Sequence, residues 1–332
     1  MLFIIPYLFP PARLLETAAQ GLHLPALQAL LARGTRQPCP GGGVEAALCE
    51  ALGISRQQDW PLAPITLAAD GEVIGDAYWL RADPVHLRVM RDRIVLADAD
   101  ALSLSRQEAD ALAAAIGQHF GPNLSPLPLH PQRWYLRYSQ APRLATTPLS
   151  VAVGRDIDPL LPQGGDAMRF RAELNELQML LHEHPVNQAR EARGELPVNS
   201  LWLWGGGRLP VTCATPVPLY AGNAEAQALG IFCNARVRAL PAQLDARLFE
   251  TDGIILLDAL TLAGQIGDAY GWREALRELE QDWFAPLRDT LRKIGPQGLQ
   301  LLDPVSGKAL HLHPRDAWKV WRRPRHLISM LS

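Results

Sequence analysis

Apolar residues recur along the chain at two spacings, one typical of helices and one typical of strands. The apolar run from Leu2 to Ile5 predicts a first buried strand. Leu27, Leu30 and Leu31 follow Pro25, a favoured first helical position, at the i, i+3, i+4 spacing of one helix face. Similar patterns predict further helices at about residues 12–20, 44–52, 105–119 (with a capping-box start), 166–182 and 270–293 (broken at Pro286).

Continuous apolar runs predict the most buried strands. Residues 201–204 form one such run, which ends in three glycines, and residues 253–257 form another. Such runs are typical of strands that are covered on both faces in a parallel sheet. Shorter strands are predicted at residues 133–138, 299–302 and 309–313, short strands and turns across residues 60–100, and loops at residues 122–132 and 141–165.

Composition narrows the class of protein. The 332 residues are 48% hydrophobic and 20% charged, which supplies a core for two domains or for one large domain with an insertion. The net charge of −2 argues against a dedicated nucleic-acid or membrane-surface binder. The four cysteines show no CxxC pair, and the apolar N-terminus is too short to span a bilayer. We therefore expect a cytoplasmic protein with reduced thiols.

One polar cluster is a candidate anion site. Asn187, Arg190, Asn199 and Arg208 surround the predicted strand at residues 201–204, and Arg guanidinium groups match carboxylate and phosphate geometry. Glycines at a strand end, as in the segment from Gly205 to Gly207, allow a ligand to approach the backbone. The alternative is that the Asn side chains satisfy turn backbone and that Trp204 belongs to the core.

Three other groups contain residue types used in catalysis or metal binding. Asp83 and His86 form either an acid/base pair or an Asx turn with an exposed His. His311 and His313 would face one side of a strand, with Asp303 and Asp316 near in sequence, but no third ligand has a diagnostic spacing. Asp258 and Asp268 follow a buried strand, and Asp268 is predicted to cap the next helix.

The order of these segments resembles the archaeal-type cofactor-independent phosphoglycerate mutases of the alkaline-phosphatase-like superfamily. Thr146-Thr147-Pro148 and residues 263–268 look like two further segments of that family, and the likeness is strongest at about residues 166–210. The chain is also similar to uncharacterised bacterial proteins, some of which are labelled regulatory. The family pattern His-Pro-Val-Asn-x-x-Arg, Gly, Pro-Ala-Asn and Gly-x-Gly is matched by His184, Pro185, Val186, Asn187, Arg190, Gly194, Pro197, Asn199, Gly205 and Gly207.

The resemblance implies a site with two metal ions and a phosphorylated serine, but this sequence departs from the family at the residues that would form it. A two-metal site needs several ligands around each ion and an activated nucleophile. The family's first metal-binding Asp is replaced by Pro6-Tyr7-Leu8, and its serine by Gly41-Gly42-Gly43-Val44. Its later metal-binding Asp and His correspond to Thr261 and Gln265. Its C-terminal Asp-His pair becomes Asp303-Pro304, and its strand-end Arg becomes Trp204.

These observations predict an α/β fold with an alkaline-phosphatase-like, mostly parallel core at residues 1–64 and 200–332. An α+β cap is predicted at residues 65–199. The leading functional hypothesis is a catalytically degenerate mutase-like protein with a regulatory role, which binds a small anionic metabolite or a protein partner, with neither nucleic acid nor membrane as partner. No cofactor is expected, and a divalent metal would have only Asp303, His311 and His313 as candidate ligands. The candidates for ligand binding are Asp83, His86, Asn187, Arg190, Asn199, Trp204, Gly205, Gly207 and Arg208.

Two alternatives remain at this point. The first is an enzyme with a rebuilt site, in which Asp83 and His86 face the cluster of Asn187, Arg190 and Asn199 across a cleft. The second is an interaction module that exposes its Trp-rich segments, which contain Trp202, Trp204, Trp318 and Trp321.

Overall fold

A computed structural model describes residues 1–97, 102–211 and 217–332. The chain divides into two compact units. The first unit combines Met1–Gly53 with Cys213–Ser332, and the second is Ile54–Thr212. The second unit therefore extends beyond the predicted insertion at both ends, and it includes the strand that the sequence analysis assigned to the core.

A seven-stranded sheet forms the centre of the first unit, in the order β10-β9-β11-β1-β12-β13-β2. The first five of these strands are parallel, and β13 and β2 continue the sheet in antiparallel register. The strands are β1 (Leu2–Ile4), β2 (Thr35–Pro38), β9 (Pro218–Tyr220), β10 (Arg236–Arg238), β11 (Ile254–Leu256), β12 (Leu299–Asp303) and β13 (Lys308–Leu312).

Eight helices belong to the described part of the first unit, and several bury an apolar face in its core. The predicted long helix at residues 270–293 is interrupted earlier than expected, by a π-helical turn at Glu280–Phe284 just ahead of Pro286. This turn places the buried Glu280 carboxylate where it accepts hydrogen bonds from the first N–H groups of α2. The helices are α1 (Ala12–Ala18), α2 (Pro25–Arg33), α3 (Gly43–Ala51), α9 (Ala224–Phe232), α10 (Thr261–Ile266), α11 (Ala269–Leu279), α12 (Ala285–Thr290) and α13 (Leu327–Leu331).

The second unit is built on an antiparallel sheet in the order β6-β7-β3-β8, next to a separate hairpin of β4 and β5. A large apolar cluster covers one face of the sheet, and a smaller cluster that includes α4 residues packs on other side chains of β3 and β7. The elements are α4 (Leu62–Ala69), β3 (Tyr78–Val85), β4 (Leu87–Val89), β5 (Ile94–Leu96), α5 (Arg106–Phe120), β6 (Leu127–His130), β7 (Arg133–Tyr138), α6 (Leu149–Ala152), α7 (Ala167–His182), α8 (Pro185–Ala192) and β8 (Ser200–Gly207).

Several sequence-based predictions were wrong in this unit. The apolar run at residues 201–204 was predicted to lie in the parallel core, but it belongs to β8, which pairs antiparallel with β3. Both kinds of sheet can bury both faces of a strand, so the apolar run does not report its direction. Residues 60–100 contain α4, and the predicted loop at residues 122–132 contains β6.

The exposed tryptophans are confined to the C-terminal segment, residues 318–332. Trp318 and Trp321 are 61% and 71% exposed, whereas Trp202 and Trp204 are buried. The interaction-module hypothesis therefore keeps its basis only near the C-terminus. None of the described helices has both the length and the apolar character that a bilayer crossing requires.

Candidate functional site

The carboxyl edge of the parallel sheet is organised around Asp303, the last residue of β12. Its carboxylate is fully buried and accepts hydrogen bonds from the backbone N–H groups of Tyr7 (3.1 Å), Phe9 (2.9 Å) and Val305 (3.0 Å). Burial raises the pKa of Asp303, and hydrogen bonds from the N–H groups of Phe9 and Val305 partly offset that effect. The Asp303 oxygens thus hold the loop after β1 in place. The resemblance places the family's metal-binding Asp in this loop.

Tyr7, whose backbone N–H binds this carboxylate, packs its ring against α10. Its backbone is left-handed (φ 61°), an unfavourable conformation for a non-glycine residue, and its carbonyl accepts a hydrogen bond from the Trp272 indole at 3.0 Å. Gly264, in α10, lies against the Tyr7 ring so closely that a Cβ atom there would collide with it. The ring of Tyr7 therefore packs directly on the second of the two segments that the resemblance places at metal-binding positions.

The glycine loop before α3 lies at the same edge of the sheet. The Gly43 N–H donates to the Pro304 carbonyl at 3.4 Å, and the Cys39 N–H donates to the Gly307 carbonyl at 2.9 Å. Burial, together with the charges of Asp303 and Glu50, raises the pKa of the Cys39 thiol to about 11. The thiol is therefore protonated at neutral pH, which argues against Cys39 as a substitute nucleophile.

The side chains present do not fit the two metal ions that the resemblance implies. Within residues 1–97, 102–211 and 217–332, no three His, Cys, Asp or Glu side chains are grouped so that they could hold a metal ion. Asp303 pairs with Lys308 whereas His311 pairs with Gln300, which separates them by about 10 Å along the hairpin of β12 and β13. His313 lies beyond the strand and starts a short 3₁₀ turn that Asp316 caps. The three weak metal candidates are therefore not brought together.

The two acids after β11 also have local roles. Asp268 accepts hydrogen bonds from the N–H groups of Tyr270 (3.1 Å) and Gly271 (3.0 Å), which confirms its predicted role as the cap of α11. Asp258 accepts a weak hydrogen bond of 3.4 Å from Asn223, the cap of α9. Both observations favour structural roles for these carboxylates.

In the second unit, the side chains of the His-Pro-Val-Asn-x-x-Arg motif hold the chain that leads into β8. The Asn187 side-chain amide donates to the carbonyls of Leu181 (2.8 Å) and Val198 (2.7 Å) and accepts from the Val198 N–H at 2.9 Å. Arg190 donates to the carbonyls of Leu196 (2.8 Å) and Leu102. Both side chains are at least 98% buried, so the alternative in which these polar groups satisfy backbone describes them best.

Arg190 also belongs to an ion cluster that the sequence analysis did not detect. Its guanidinium lies 3.1 Å from the Glu108 carboxylate, which also contacts Arg193 at 2.8 Å, and Arg193 in turn pairs with Glu195 at 2.7 Å. Glu108 completes the predicted capping box with Ser105 at the start of α5. That capping box was the sequence signal at this position, but it could not reveal the arginines, which lie more than 80 residues away.

We expect Glu108 to make the protein more sensitive to acid. Burial opposes its ionisation, but the Ser105 hydrogen bonds and the two arginines outweigh burial and lower the pKa of Glu108 to about 2. Because the ordinary pKa of this carboxyl is 4.5, its contribution to stability is complete above that pH and is lost as the pH falls towards about 2.

In urea unfolding, Glu108→Gln should therefore lose less stability than the wild type between pH 5 and pH 2.5. The matched control is Asp110→Asn on the same helix, which breaks only an exposed ion pair with Arg106 and should change stability little. Equal pH profiles for Glu108→Gln and the wild type would contradict the assignment.

Asp83 belongs to a buried charged network and does not pair with His86. Its carboxylate receives the Arg81 guanidinium at 2.8 and 3.0 Å, the Trp204 indole N–H at 2.7 Å and the Trp134 backbone N–H at 3.1 Å. The Arg81 guanidinium lies over the rings of Tyr135 (5.5 Å) and Trp204 (4.8 Å). This arrangement binds β3, β7 and β8 together, and Arg81 is a member that sequence analysis missed.

His86 and Asn199 meet at the other end of this region, where the chain leaves β3. His86 Nδ1 lies 2.9 Å from the Pro197 carbonyl oxygen. The Asn199 side chain accepts a hydrogen bond from the Leu87 N–H (2.7 Å) and donates one to the Leu87 carbonyl (2.9 Å). It thus pairs with the Leu87 backbone as a neighbouring strand would. Because Asp83 and His86 are three residues apart in extended chain, their side chains leave opposite faces. The rebuilt-site hypothesis therefore loses the pairing on which it rested.

The glycines that end β8 make room for side chains of the same unit. Gly205 has φ 65° and lies against Leu62, and a Cβ atom on Gly207 would approach Pro61 Cβ to 2.6 Å. Arg208 is exposed and donates through its backbone N–H to Gln57 at 3.0 Å. Asn199 and Arg208 flank β8 at its two ends, roughly 25–30 Å apart, so the predicted four-residue anion cluster does not assemble.

Comparison with known proteins identifies sequence relatives of this chain. No protein-family model matches it. It is 27% identical over 208 residues to a probable 2,3-bisphosphoglycerate-independent phosphoglycerate mutase of Geobacter sulfurreducens, which covers 59% of this chain and 51% of that protein. A 64-residue match to the 2,3-bisphosphoglycerate-independent phosphoglycerate mutase of Methanothrix thermoacetophila is 41% identical and covers 19% of this chain and 16% of that protein. The matched region thus spans about half of the Geobacter protein and less of the archaeal one.

The fold likeness extends further along the chain than the sequence likeness. A solved structure of a Pyrococcus horikoshii protein covers 96% of this chain and 91% of its own length, with a TM-score of 0.50 and 13% identity. The predicted resemblance to cofactor-independent phosphoglycerate mutases is confirmed at the level of sequence relatives. The predicted α/β class with a large, mostly parallel sheet is confirmed as well.

Proposed function

We propose that this phosphoglycerate-mutase-like protein has lost metal-dependent phosphoryl transfer and acts by binding a small anionic metabolite, in a regulatory role. The observation that carries the loss of phosphoryl transfer is the environment of Asp303. It is the only carboxylate among the three metal candidates, and backbone N–H groups of its own unit occupy both of its oxygens. A protein partner that responds to the bound metabolite is compatible with this role.

Two further observations support the proposal. Tyr7 lies in the segment that the resemblance places at a metal-binding Asp, and the glycine loop that it places at the nucleophile has no hydroxyl group. A phosphoserine route needs both a nucleophile and a metal ion that activates it. Cys39, Cys49 and Cys233 are free thiols, which agrees with the cytoplasmic location that we include in the proposal.

The proposal is tested with the purified full chain. Isothermal titration with Mn²⁺ or Zn²⁺ should show no uptake of two equivalents, and 3-phosphoglycerate should not be converted to 2-phosphoglycerate with either metal present. An active cofactor-independent mutase assayed in parallel verifies the assay. Stoichiometric binding of two metal ions together with turnover would overturn the loss of phosphoryl transfer.

The binding half of the proposal needs a separate measurement. In a thermal-shift screen, at least one phosphorylated three-carbon acid should raise the melting temperature of the protein. A ligand that binds only the native state stabilises that state by mass action. A screen of phosphorylated and carboxylated metabolites at millimolar concentration that leaves the melting temperature unchanged would contradict a metabolite-binding role.

A further inference from the structure

An open groove lies at the edge of the first unit, between α2, β2 and the C-terminal segment. Its volume is about 640 Å³, which falls in the range of small-molecule sites. The buried side chains of Leu31 and Met330 contribute apolar lining. We call it the arginine groove because its lining includes Arg36, Arg322, Arg323 and Arg325, together with Trp321.

The charge of the arginine groove is not balanced by the protein. No acidic residue lines it, and within the described residues none of its four guanidinium groups forms an ion pair with a carboxylate. The four arginines are exposed at their positions. Like charges gathered around one concave surface attract a multiply charged anion, and Arg forks match phosphate oxygens. The net charge of −2 for the whole chain shows that this concentration of positive charge is local.

The groove is anchored to the body of the unit. The Gln28 side chain donates to the Arg325 carbonyl at 2.8 Å, and the Arg36 guanidinium donates to the Met330 carbonyl. Lys319 contacts both Asp316 at 2.6 Å and the Arg33 carbonyl at 3.4 Å. These contacts hold the C-terminal segment against α2 and β2. The arginines are therefore close together before a ligand binds, and the site is preorganised.

The exposed Trp321 side chain favours an anion that carries an aromatic ring. This side chain is 71% exposed and lines the groove beside the arginines. An exposed indole next to guanidinium groups suits a ligand with a flat ring as well as phosphates, because aromatic rings stack on Trp and phosphates pair with Arg. An anion without a ring would leave the Trp321 side chain unused.

A membrane surface fits these observations less well. Interfacial anchors use amphipathic helices with an apolar face that is free to enter the lipid. The only helix of this segment, α13, has five residues and buries Leu327, Met330 and Leu331 within its own unit. The basic residues therefore line a concave site and do not flank an exposed apolar helix face.

We propose that the arginine groove binds a nucleoside polyphosphate, with the phosphates on Arg36, Arg322, Arg323 and Arg325 and the base on Trp321. This inference names a ligand class for the binding half of the proposed function, on which it rests, and it does not depend on the proposed loss of phosphoryl transfer. The groove shares no residue with the Asp303 region, so the metal and mutase assays do not test it.

Isothermal titration of the full chain with ATP, in the absence of divalent metal, tests the assignment. The wild type should bind one equivalent. The double variant Arg322→Ala/Arg323→Ala should weaken binding at least tenfold, and Trp321→Ala should weaken it several-fold. Inorganic tripolyphosphate carries the phosphates without the base, so the wild type should bind it more weakly than ATP. Trp321→Ala should bind tripolyphosphate as tightly as the wild type does.

The matched control is Arg236→Ala/Arg247→Ala, which removes the same charge from exposed positions of the same unit; Arg236 lies on β10, at the opposite edge of the sheet from β2. It should bind ATP like the wild type. No binding of ATP at millimolar concentration, or equal loss in the control and groove variants, would overturn the proposal. Preferential binding of anionic vesicles or single-stranded RNA, with ATP failing to compete, would also overturn it in favour of a macromolecular partner.

Discussion

Replacement of Asp83 by alanine should lower the free energy of unfolding of the second unit by about 3–5 kcal/mol, because it removes one partner of a buried ion pair. Arg81 and Asp83 are 2% and 1% exposed, and they are joined by two hydrogen bonds in the centre of the sheet. The Trp204 indole and the Trp134 N–H lose the same acceptor. The effect is measured from urea unfolding curves, with hydrogen exchange of the β3 and β8 amides to assign it to this unit.

The size of the effect depends on burial and not on the removal of a charge as such. Glu176→Ala removes a carboxylate that is 54% exposed and contacts His119 on the surface, so it should change stability little. The double variant Arg81→Met/Asp83→Leu removes both charges and should recover most of the lost stability, since paired apolar replacements of buried ion pairs are often neutral. If Asp83→Ala were as stable as Glu176→Ala, the structural role of this pair would be wrong.

Replacement of Asp303 by alanine should destabilise the first unit by about 3 kcal/mol or more, because a buried N–H group that loses its acceptor costs about 1–3 kcal/mol. Tyr7, Phe9 and Val305 each lose such an acceptor. Asp303→Asn should cost less. One carboxylate oxygen, Oδ1, serves Tyr7 and Val305, and an amide oxygen can replace it there, which leaves mainly the Phe9 N–H without an acceptor. Thermal and urea unfolding of the three proteins measure this order.

The same variants separate a structural Asp303 from a metal ligand. Asp289→Ala, at a side chain that is 65% exposed, is the matched surface control and should stay within about 0.5 kcal/mol of the wild type. Mn²⁺ or Zn²⁺ should leave the melting temperatures of the wild type and of Asp303→Asn equally unchanged. A metal-dependent stabilisation that is present in the wild type and lost in Asp303→Asn would contradict the structural role.

The sequence determined the local elements of this protein well. Helical periodicity, together with Pro25, the Ser105–Glu108 capping box and the cap at Asp268, located α2, α5 and α11. The apolar runs at the N-terminus and before Asp258 located β1 and β11, which do lie side by side in a parallel sheet. These signals are readable because periodicity and capping are set by residues within one or two turns of each other.

Only the tertiary structure decided what the polar residues of the motif do. Asn187, Arg190 and Asn199 have the hydrogen-bonding groups of a ligand site, yet their partners are Val198, Leu102 and Leu87 of the same unit. A side-chain type fixes how many hydrogen bonds it can make, but not whether a ligand or the chain's own backbone makes them. That choice depends on segments up to about a hundred residues away, as does the pairing of β8 with β3.

The arginine groove is a second case in which the sequence did not reveal which side chains lie together. The sequence displayed Trp321 and three nearby arginines, but Arg36 is almost 300 residues away and joins them only because β2 is the edge strand next to β13. Sequence by itself therefore determined many of the local elements of this protein and its resemblance to phosphoglycerate mutases. The tertiary structure decided which charged side chains are buried against each other and which remain exposed, because burial and charge pairing depend on neighbours in space.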